Sequence, residues 1–325
     1  MPRIVHLGLG GFHRAHQAVY TFDAGGWEIC GVAWRSRAVA DAMRASVGRY
    51  TLVERGPEAD RAREIRVHSE TLVAVDEPEA VIERIAAPAT AIVTLTITEG
   101  GYEPGNPMLG LMARGLAARP AAGDPLTVLP CDNVPANGEA ARRVVGDFPG
   151  VAFRSTVSDR ITPASGDPLV VVTEPFSLWV VEKFDGPRPE WERAGALLVP
   201  DARPYEAMKL RLVNAAHSAL AALGIPRGFE TVAEAVGDPA LREFVQRLLQ
   251  EELVPTVPDT PGIDLDDFVA RMLERFANPR MEHRLAQIAT GAAHKIPQRF
   301  GPPAAELRAA GREPVLIEQV IAAAT

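Results

Sequence analysis

Cysteine is nearly absent: the chain of 325 residues has two, Cys30 and Cys131. Residues so far apart supply no disulfide framework and none of the usual Cys spacings of a zinc site, and they suit a reducing compartment. Excess positive charge is missing too. The formal net charge is −8, which argues against nucleic acid or an anionic membrane as the main partner, since both reward a basic face. No run of like charges is long enough for an interaction tail. No uninterrupted apolar stretch is long enough to cross a bilayer. The first strand is expected to begin at Arg3, which leaves no room ahead of it for a cleavable leader. A soluble, cytoplasmic protein is therefore expected. What the chain does have is apolar bulk. At 47% hydrophobic and this length it can bury a large core and build two domains.

Arg3 to Gly8 reads as a short buried strand running into a glycine-rich turn, Phe12 to Ala24 as a helix, and Trp27 to Trp34 as a second strand. Strand, helix and strand within roughly 35 residues make one βαβ unit and imply a parallel sheet. Further strands are expected at Ala91 to Thr98, Leu126 to Leu129 and Leu169 to Thr173. Helices are expected at Arg37 to Ala45, Glu77 to Ile85 and Gly138 to Val145. This alternation is the pattern of a doubly wound α/β domain. From Pro204 onward the periodicity is helical: Pro204 to Leu223, Thr231 to Ala235, Pro239 to Glu251, Leu265 to Phe276 and Met281 to Thr290. The expected division is a Rossmann-type domain over 1–200 and a mostly helical domain over 201–325.

The segment from Gly8 to His13 (GLGGFH) follows a strand and opens a helix, the context a dinucleotide site requires. Gly8 allows the tight turn, Gly10 lets the backbone approach a pyrophosphate, and Gly11 and Phe12 begin the helix whose free N–H groups would hold its charge. A structural turn in some other α/β protein remains the plainer alternative. His13 replaces the third glycine of the usual fingerprint, so the helix should sit further from the strand. The second strand ends in Trp34, Arg35, Ser36 and Arg37, with no acid for an adenosine ribose. Arginines there suit a 2′-phosphate, which leaves NADP open beside NAD; equally, both arginines can be solvated helix-start residues.

Pro204 to His217 is the most informative stretch. At about 100° per residue Leu212, Val213, Ala216, Leu220 and Leu223 form an apolar stripe, and Lys209 falls in its middle with Asn214 and His217 on the flank. A lysine so placed loses hydration, which lowers its pKa and lets the neutral amine take a proton from an alcohol. Asn214 can donate to an oxygen gaining negative charge, and His217 can bond a substrate hydroxyl. The competing reading is a lysine that snorkels to water.

Taken together, the motifs resemble the mannitol dehydrogenase family, long-chain polyol dehydrogenases that include fructuronate and tagaturonate reductases. They are Gly8 to His16 (GLGGFHRAH), Thr98 to Tyr102 (TEGGY), Cys131 to Gly138 (CDNVPANG), Asp159 to Pro163 (DRITP), Glu174 to Phe176 (EPF), the Lys209 helix, and Arg275 to Pro279 (RFANP). They run in family order from about residue 4 to 300. The resemblance implies a Rossmann domain followed by a helical one, Lys209 as general base, Asn133 and Asn214 as an oxyanion-hole pair, and His217 as a substrate-binding histidine. It places Thr98 and Glu99 in the cofactor site and implies NAD, against the local chemistry of Arg35. Asp159 matches a polar residue near the site, although its motif is equally readable as structural. Lys295 stands where the family carries a basic residue near the substrate, and Gln287, about two turns earlier, is placed to read a terminal hydroxyl or carboxylate. The chain departs from the family at Thr290 to His294 (TGAAH), where Asp-Gly-Ser is usual, and at Gly100, where lysine is common. Fewer residues than usual follow Lys295.

The expected activity is hydride exchange between NAD(P) and a polyol or hexonate, without a metal, in a monomer or homodimer. A non-catalytic dinucleotide-binding sensor on the same fold is the alternative; it leaves the set of Lys209, Asn133, Asn214 and His217 without a purpose. A Rossmann methyltransferase leaves the Lys209 helix unexplained.

Overall fold

The computed structural model describes residues 1–120 and 123–324. The chain divides into two compact units, Met1–Ala202 and the residues from Arg203 onward.

The strands of the first unit, in chain order, are β1 (Arg3–Leu7), β2 (Glu28–Ala33), β3 (Arg49–Arg55), β4 (Asp60–Arg66), β5 (His68–Val73), β6 (Thr90–Leu95), β7 (Leu126–Pro130), β8 (Val151–Phe153), β9 (Thr156–Asp159), β10 (Val170–Thr173), β11 (Leu178–Glu182) and β12 (Leu197–Val199). Six of them form one sheet in the order β5-β2-β1-β6-β7-β8, and every pairing is parallel. Side chains alternate across a strand, so Ile4 and Ile29 enter the core on one face while Val5, Cys30 and Val32 enter the core on the other. Burial on both faces is why β1 and β2 read as continuous apolar runs rather than alternating ones. The strand order reverses between β1 and β6, which creates a crevice at their carboxyl ends, the usual ligand position in such sheets. The doubly wound parallel sheet expected from the sequence is thus the observed architecture.

Three expectations are corrected. Val170–Thr173 does not join this sheet: β10 pairs in parallel with β3, which forms an antiparallel hairpin with β4. A third sheet has the order β12-β11-β9. The helix expected over residues 12–24 is two helices, Gly11–Ala15 and Gln17–Ala24, broken at His16 with φ −121° and ψ −94°. The break has a cause: the Ala15 carbonyl accepts from Arg160 Nη1 at 2.6 Å, and His16 Nε2 bonds the Leu178 carbonyl at 2.8 Å. Residues 281–290 hold only the short helix Leu285–Ala289, preceded by a 3₁₀ turn at Pro279–Met281.

The second unit is helical. Leu265–Phe276 forms as expected, and Val232–Gly237 begins with a capping box between Thr231 and Glu234. The segment Arg203 to Gly224 is continuous but not uniform: α-helix at Arg203–Met208, π-helix at Lys209–Asn214, then α-helix at Ala215–Gly224. Two further helices, Ala292–Ala309 and Val315–Ala324, complete the unit. Among the described residues no helix is long and apolar enough to cross a membrane.

Candidate active site

The glycine turn sits at the carboxyl end of β1. Gly8 has φ +110°, and a Cβ there would lie 2.0 Å from the Thr96 carbonyl oxygen. Only glycine fits a turn pressed this close to the end of β6. Thr96 closes the contact, its N–H donating to Leu7 O at 2.9 Å and its hydroxyl to Gly8 O at 2.8 Å. Gly10 differs: a Cβ at that position would meet only Gly8 O, at 3.7 Å. Internal packing therefore does not require this glycine, and the outer side of the turn is open to an approaching group. The N–H groups of Gly11, Phe12 and His13 occupy the first helical turn, where no intrahelical acceptor exists.

His13 fills the space that the missing third glycine would have closed. Its ring stacks on His6 of β1 with centroids 3.4 Å apart, and its Nε2 lies 3.0 Å from Nε2 of His68. One nitrogen must donate and the other accept, so the accepting ring is neutral. His6 also bonds Thr94 Oγ1 at 2.8 Å and Thr96 Oγ1 at 2.9 Å. Burial pushes His6 and His68 down to about 3, and holds His13 well below its ordinary value, with the neighbouring histidines adding to the effect. The unfolded chain takes up these protons near pH 6.5, whereas folded His6 and His68 resist until about 3. The contribution of His6 and His68 to stability is thus complete above pH 6.5 and disappears as pH falls from 6.5 toward 3, by up to about 1.4 kcal/mol per pH unit for each of the two. Denaturant midpoints measured from pH 7 to 4 should fall accordingly, and a His68→Gln variant should show a shallower fall. An equal fall in both proteins would remove the histidines from the cause.

Arg35, at the end of β2, is exposed, with its guanidinium 5.9 Å from the Trp34 ring centroid. Arg37 pairs with Asp76 at 2.6 Å. Across the crevice, Thr98 and Glu99 follow β6, while Asp132 and Asn133 follow β7. Asn133 Nδ2 lies 3.4 Å from Glu99 Oε1. The Asp132 carboxylate accepts from Ile97 N, Thr98 N and the Tyr102 hydroxyl at 3.0, 2.7 and 2.7 Å. Burial raises the Asp132 carboxyl, and these donors oppose the rise. Sequence reasoning passed over Asp132 and Tyr102 although both lie in quoted motifs. It weighed Asp159, which ends β9 half-buried, and overlooked the more deeply buried Arg160 beside it. Arg160 bonds the carbonyls of Ala15 and Glu174 and the Glu54 carboxylate.

In the helical unit the π-turn coincides with Lys209–Asn214. The Ala215 N–H reaches back to the Leu210 carbonyl, an i→i+5 bond. Such a turn brings residue i+5 over residue i. Lys209 and Asn214 therefore lie closer round the axis than the 140° that regular α-helical spacing implies. Arg299 Nη1, from Ala292–Ala309, donates to the Asn214 carbonyl at 2.9 Å and to Ser218 Oγ at 2.6 Å. Leu212, Val213, Ala216 and Leu220 are buried as expected, whereas Lys209 and Asn214 are half-buried. His217 stacks on Phe276 at 4.2 Å and meets His283 edge-on at 4.8 Å. The RFANP motif thus supplies the ring that orients His217. Gln287 is exposed on Leu285–Ala289, and Lys295 Nζ donates to the Thr290 carbonyl at 2.6 Å and to Ile288 O at 3.3 Å.

Comparison with known proteins identifies the family. A model of the mannitol dehydrogenase Rossmann domain matches residues 2–193, and one of the mannitol dehydrogenase C-terminal domain matches 201–325. The chain belongs to the mannitol dehydrogenase family. A mannitol 2-dehydrogenase of Pyrenophora tritici-repentis is 36% identical over 95% of this chain and 66% of its own length. One from Aspergillus fumigatus is 36% identical over 93% of this chain and 73% of its own. The chain thus spans about two thirds of the length of the Pyrenophora relative. Among solved structures, the Pseudomonas fluorescens mannitol 2-dehydrogenase ternary complex with NAD and D-mannitol has a TM-score of 0.84 at 33% identity, over 99% of this chain and 78% of that one. A D-sorbitol dehydrogenase in substrate-free form has a TM-score of 0.90 at 29% identity, over 99% and 79%.

Proposed function

We propose that this chain is an NAD-dependent, metal-independent dehydrogenase that interconverts a polyol, or a hexonate, with its keto form. The observation that carries the reading is the π-turn that gathers Lys209 and Asn214, one turn from His217. The relative solved with NAD and D-mannitol supports both cofactor and substrate class. A bound nicotinamide would accept the hydride. The chain's own residues handle the rest: Lys209 takes the hydroxyl proton, Asn214 and Asn133 donate to the oxygen that gains charge, and His217 orients a neighbouring hydroxyl. The turn from Gly8 to Phe12 fits a pyrophosphate, since its open side at Gly10 presents backbone without a side chain. Among the described residues no group of three or more His, Cys, Asp or Glu is arranged to hold a metal. Absorbance of NADH with a panel of polyols and hexonates, before and after exhaustive EDTA treatment, tests the proposal. Turnover of a member of the panel, unchanged by EDTA, is expected. Activity lost to EDTA and restored by zinc would overturn the lysine mechanism.

Cofactor choice is tested separately. Arg37 is paired with Asp76, whereas Arg35 lies exposed beside Trp34. NAD is expected to bind more tightly, and an Arg35→Ala, Arg37→Ala double variant should keep that preference. A clear preference for NADP that the double variant loses would show the arginines reading a 2′-phosphate.

A further inference from the structure

Thr98 has φ +69° and ψ 164°, a backbone region essentially reserved for glycine and worse still for a β-branched residue. Something must hold it there. The Asp132 carboxylate takes the Thr98 N–H on Oδ1 and the Ile97 N–H on Oδ2, and the Tyr102 hydroxyl donates to the same Oδ2. Asp132 is itself anchored: Asn137 Nδ2 donates to its carbonyl at 3.0 Å and to Thr156 O at 2.9 Å, while Thr156 N returns a bond to Asn137 Oδ1 at 3.0 Å. The loop after β7 thus fixes the loop after β6. Two residues before Thr98, Thr96 is pressed against Gly8. One residue after Asp132, Asn133 reaches Glu99. Asp132 therefore joins the glycine turn's neighbour to the proposed oxyanion donor, and the proposed reaction gives it no proton to carry.

We propose that Asp132, assisted by Tyr102, is a positioning residue that holds Thr98 in its strained conformation and so shapes the nucleotide site beside the glycine turn. This rests on the nucleotide-binding reading above. A carboxylate is required because all its partners are donors; an asparagine amide would turn a donor of its own toward one of them.

Four proteins test it: the parent, Asp132→Asn, Thr98→Gly and the double variant. NADH affinity is read by fluorescence titration, and the Thr98 backbone from crystal structures without nucleotide. Asp132→Asn should bind NADH about five- to a hundredfold more weakly and should let Thr98 relax to negative φ. Thr98→Gly loses the side chain but should keep its positive φ, since glycine adopts this conformation without strain, and its affinity is the baseline for the double variant. The double variant should return to within about threefold of Thr98→Gly, a rescue that general damage to the fold would not permit. Asp132→Asn with the parent's affinity and Thr98 still at positive φ overturns the proposal, and so does a double variant as weak as Asp132→Asn. If the parent binds no nicotinamide nucleotide, the nucleotide reading falls instead, and the clamp is decided by the Thr98 backbone alone. Should Asp132→Asn fail to fold, Tyr102→Phe, which removes one donor, carries the same comparison on a smaller scale.

Discussion

Lys209→Ala should lose at least about a hundredfold, and up to about ten-thousandfold, in alcohol oxidation, the range a positioned general base contributes. The base must be neutral to take a proton, so oxidation by the parent should rise with pH until the amine is free, and that rise should vanish in the variant. NADH affinity should change little, because the glycine turn belongs to β1 and not to the Lys209 segment. The chain has three lysines, Lys183, Lys209 and Lys295, so rescue by an external primary amine is read against a clean background. Arg299→Met probes the same π-turn from behind. It removes the bonds to the Asn214 carbonyl and Ser218, and should lower turnover more than it weakens nucleotide binding. Near-normal turnover in Lys209→Ala would return this half-buried lysine to the snorkelling role.

The π-turn was not legible in the sequence, and the reason is physical. Regular spacing of 100° per residue put Lys209 and Asn214 about 140° apart, although the proposed chemistry needs them together. The correction is one extra residue in the turn, and the carbonyl of its last residue, Asn214, accepts from an arginine 85 residues away. No local pattern reports such a partner. Elsewhere the legible parts are those where local and global signals agree. Arg37–Ala45 and Leu265–Phe276 formed with the expected bounds. β1 and β2 were readable because both of their faces are buried. The β3–β4 hairpin was missed because β4 (DRAREIR) is an edge strand whose charges discourage further pairing. Ala292–Ala309 was missed because Pro297, Pro302 and Pro303 lie inside it and proline ordinarily ends a helix. Its buried face, Ile296, Phe300, Ala304 and Leu307, nevertheless keeps helical spacing. Of the proposed catalytic residues, the motifs named Asn133, Asn214 and His217 directly. Their supports, Asp132, Arg299 and Phe276, emerge only when the chain is folded.

Gly8→Ala should damage the first unit and its nucleotide affinity together, whereas Gly10→Ala should damage affinity alone. The contrast follows from the two environments. At Gly8 a methyl group meets the Thr96 carbonyl carbon and oxygen at 2.7 and 2.0 Å, at φ +110°. The Thr96 backbone cannot yield, because its N–H is bonded to Leu7 O within the β1–β6 pairing. Overlap and strain of about 3 kcal/mol or more would lower the melting temperature by about 6–12 °C for a unit of this size. At Gly10 the backbone has φ −109°, open to any L-residue, and the methyl group meets only Gly8 O at 3.7 Å. Thermal stability of Gly10→Ala should therefore match the parent. Its methyl group, however, stands where the backbone must approach a pyrophosphate, and NADH affinity should fall at least about tenfold, an estimate that takes the lost approach as one charge-assisted hydrogen bond. Melting curves and fluorescence titrations on the two variants separate these effects. If Gly10→Ala binds NADH as tightly as the parent, the glycines serve only the turn, and the phosphate must be held elsewhere.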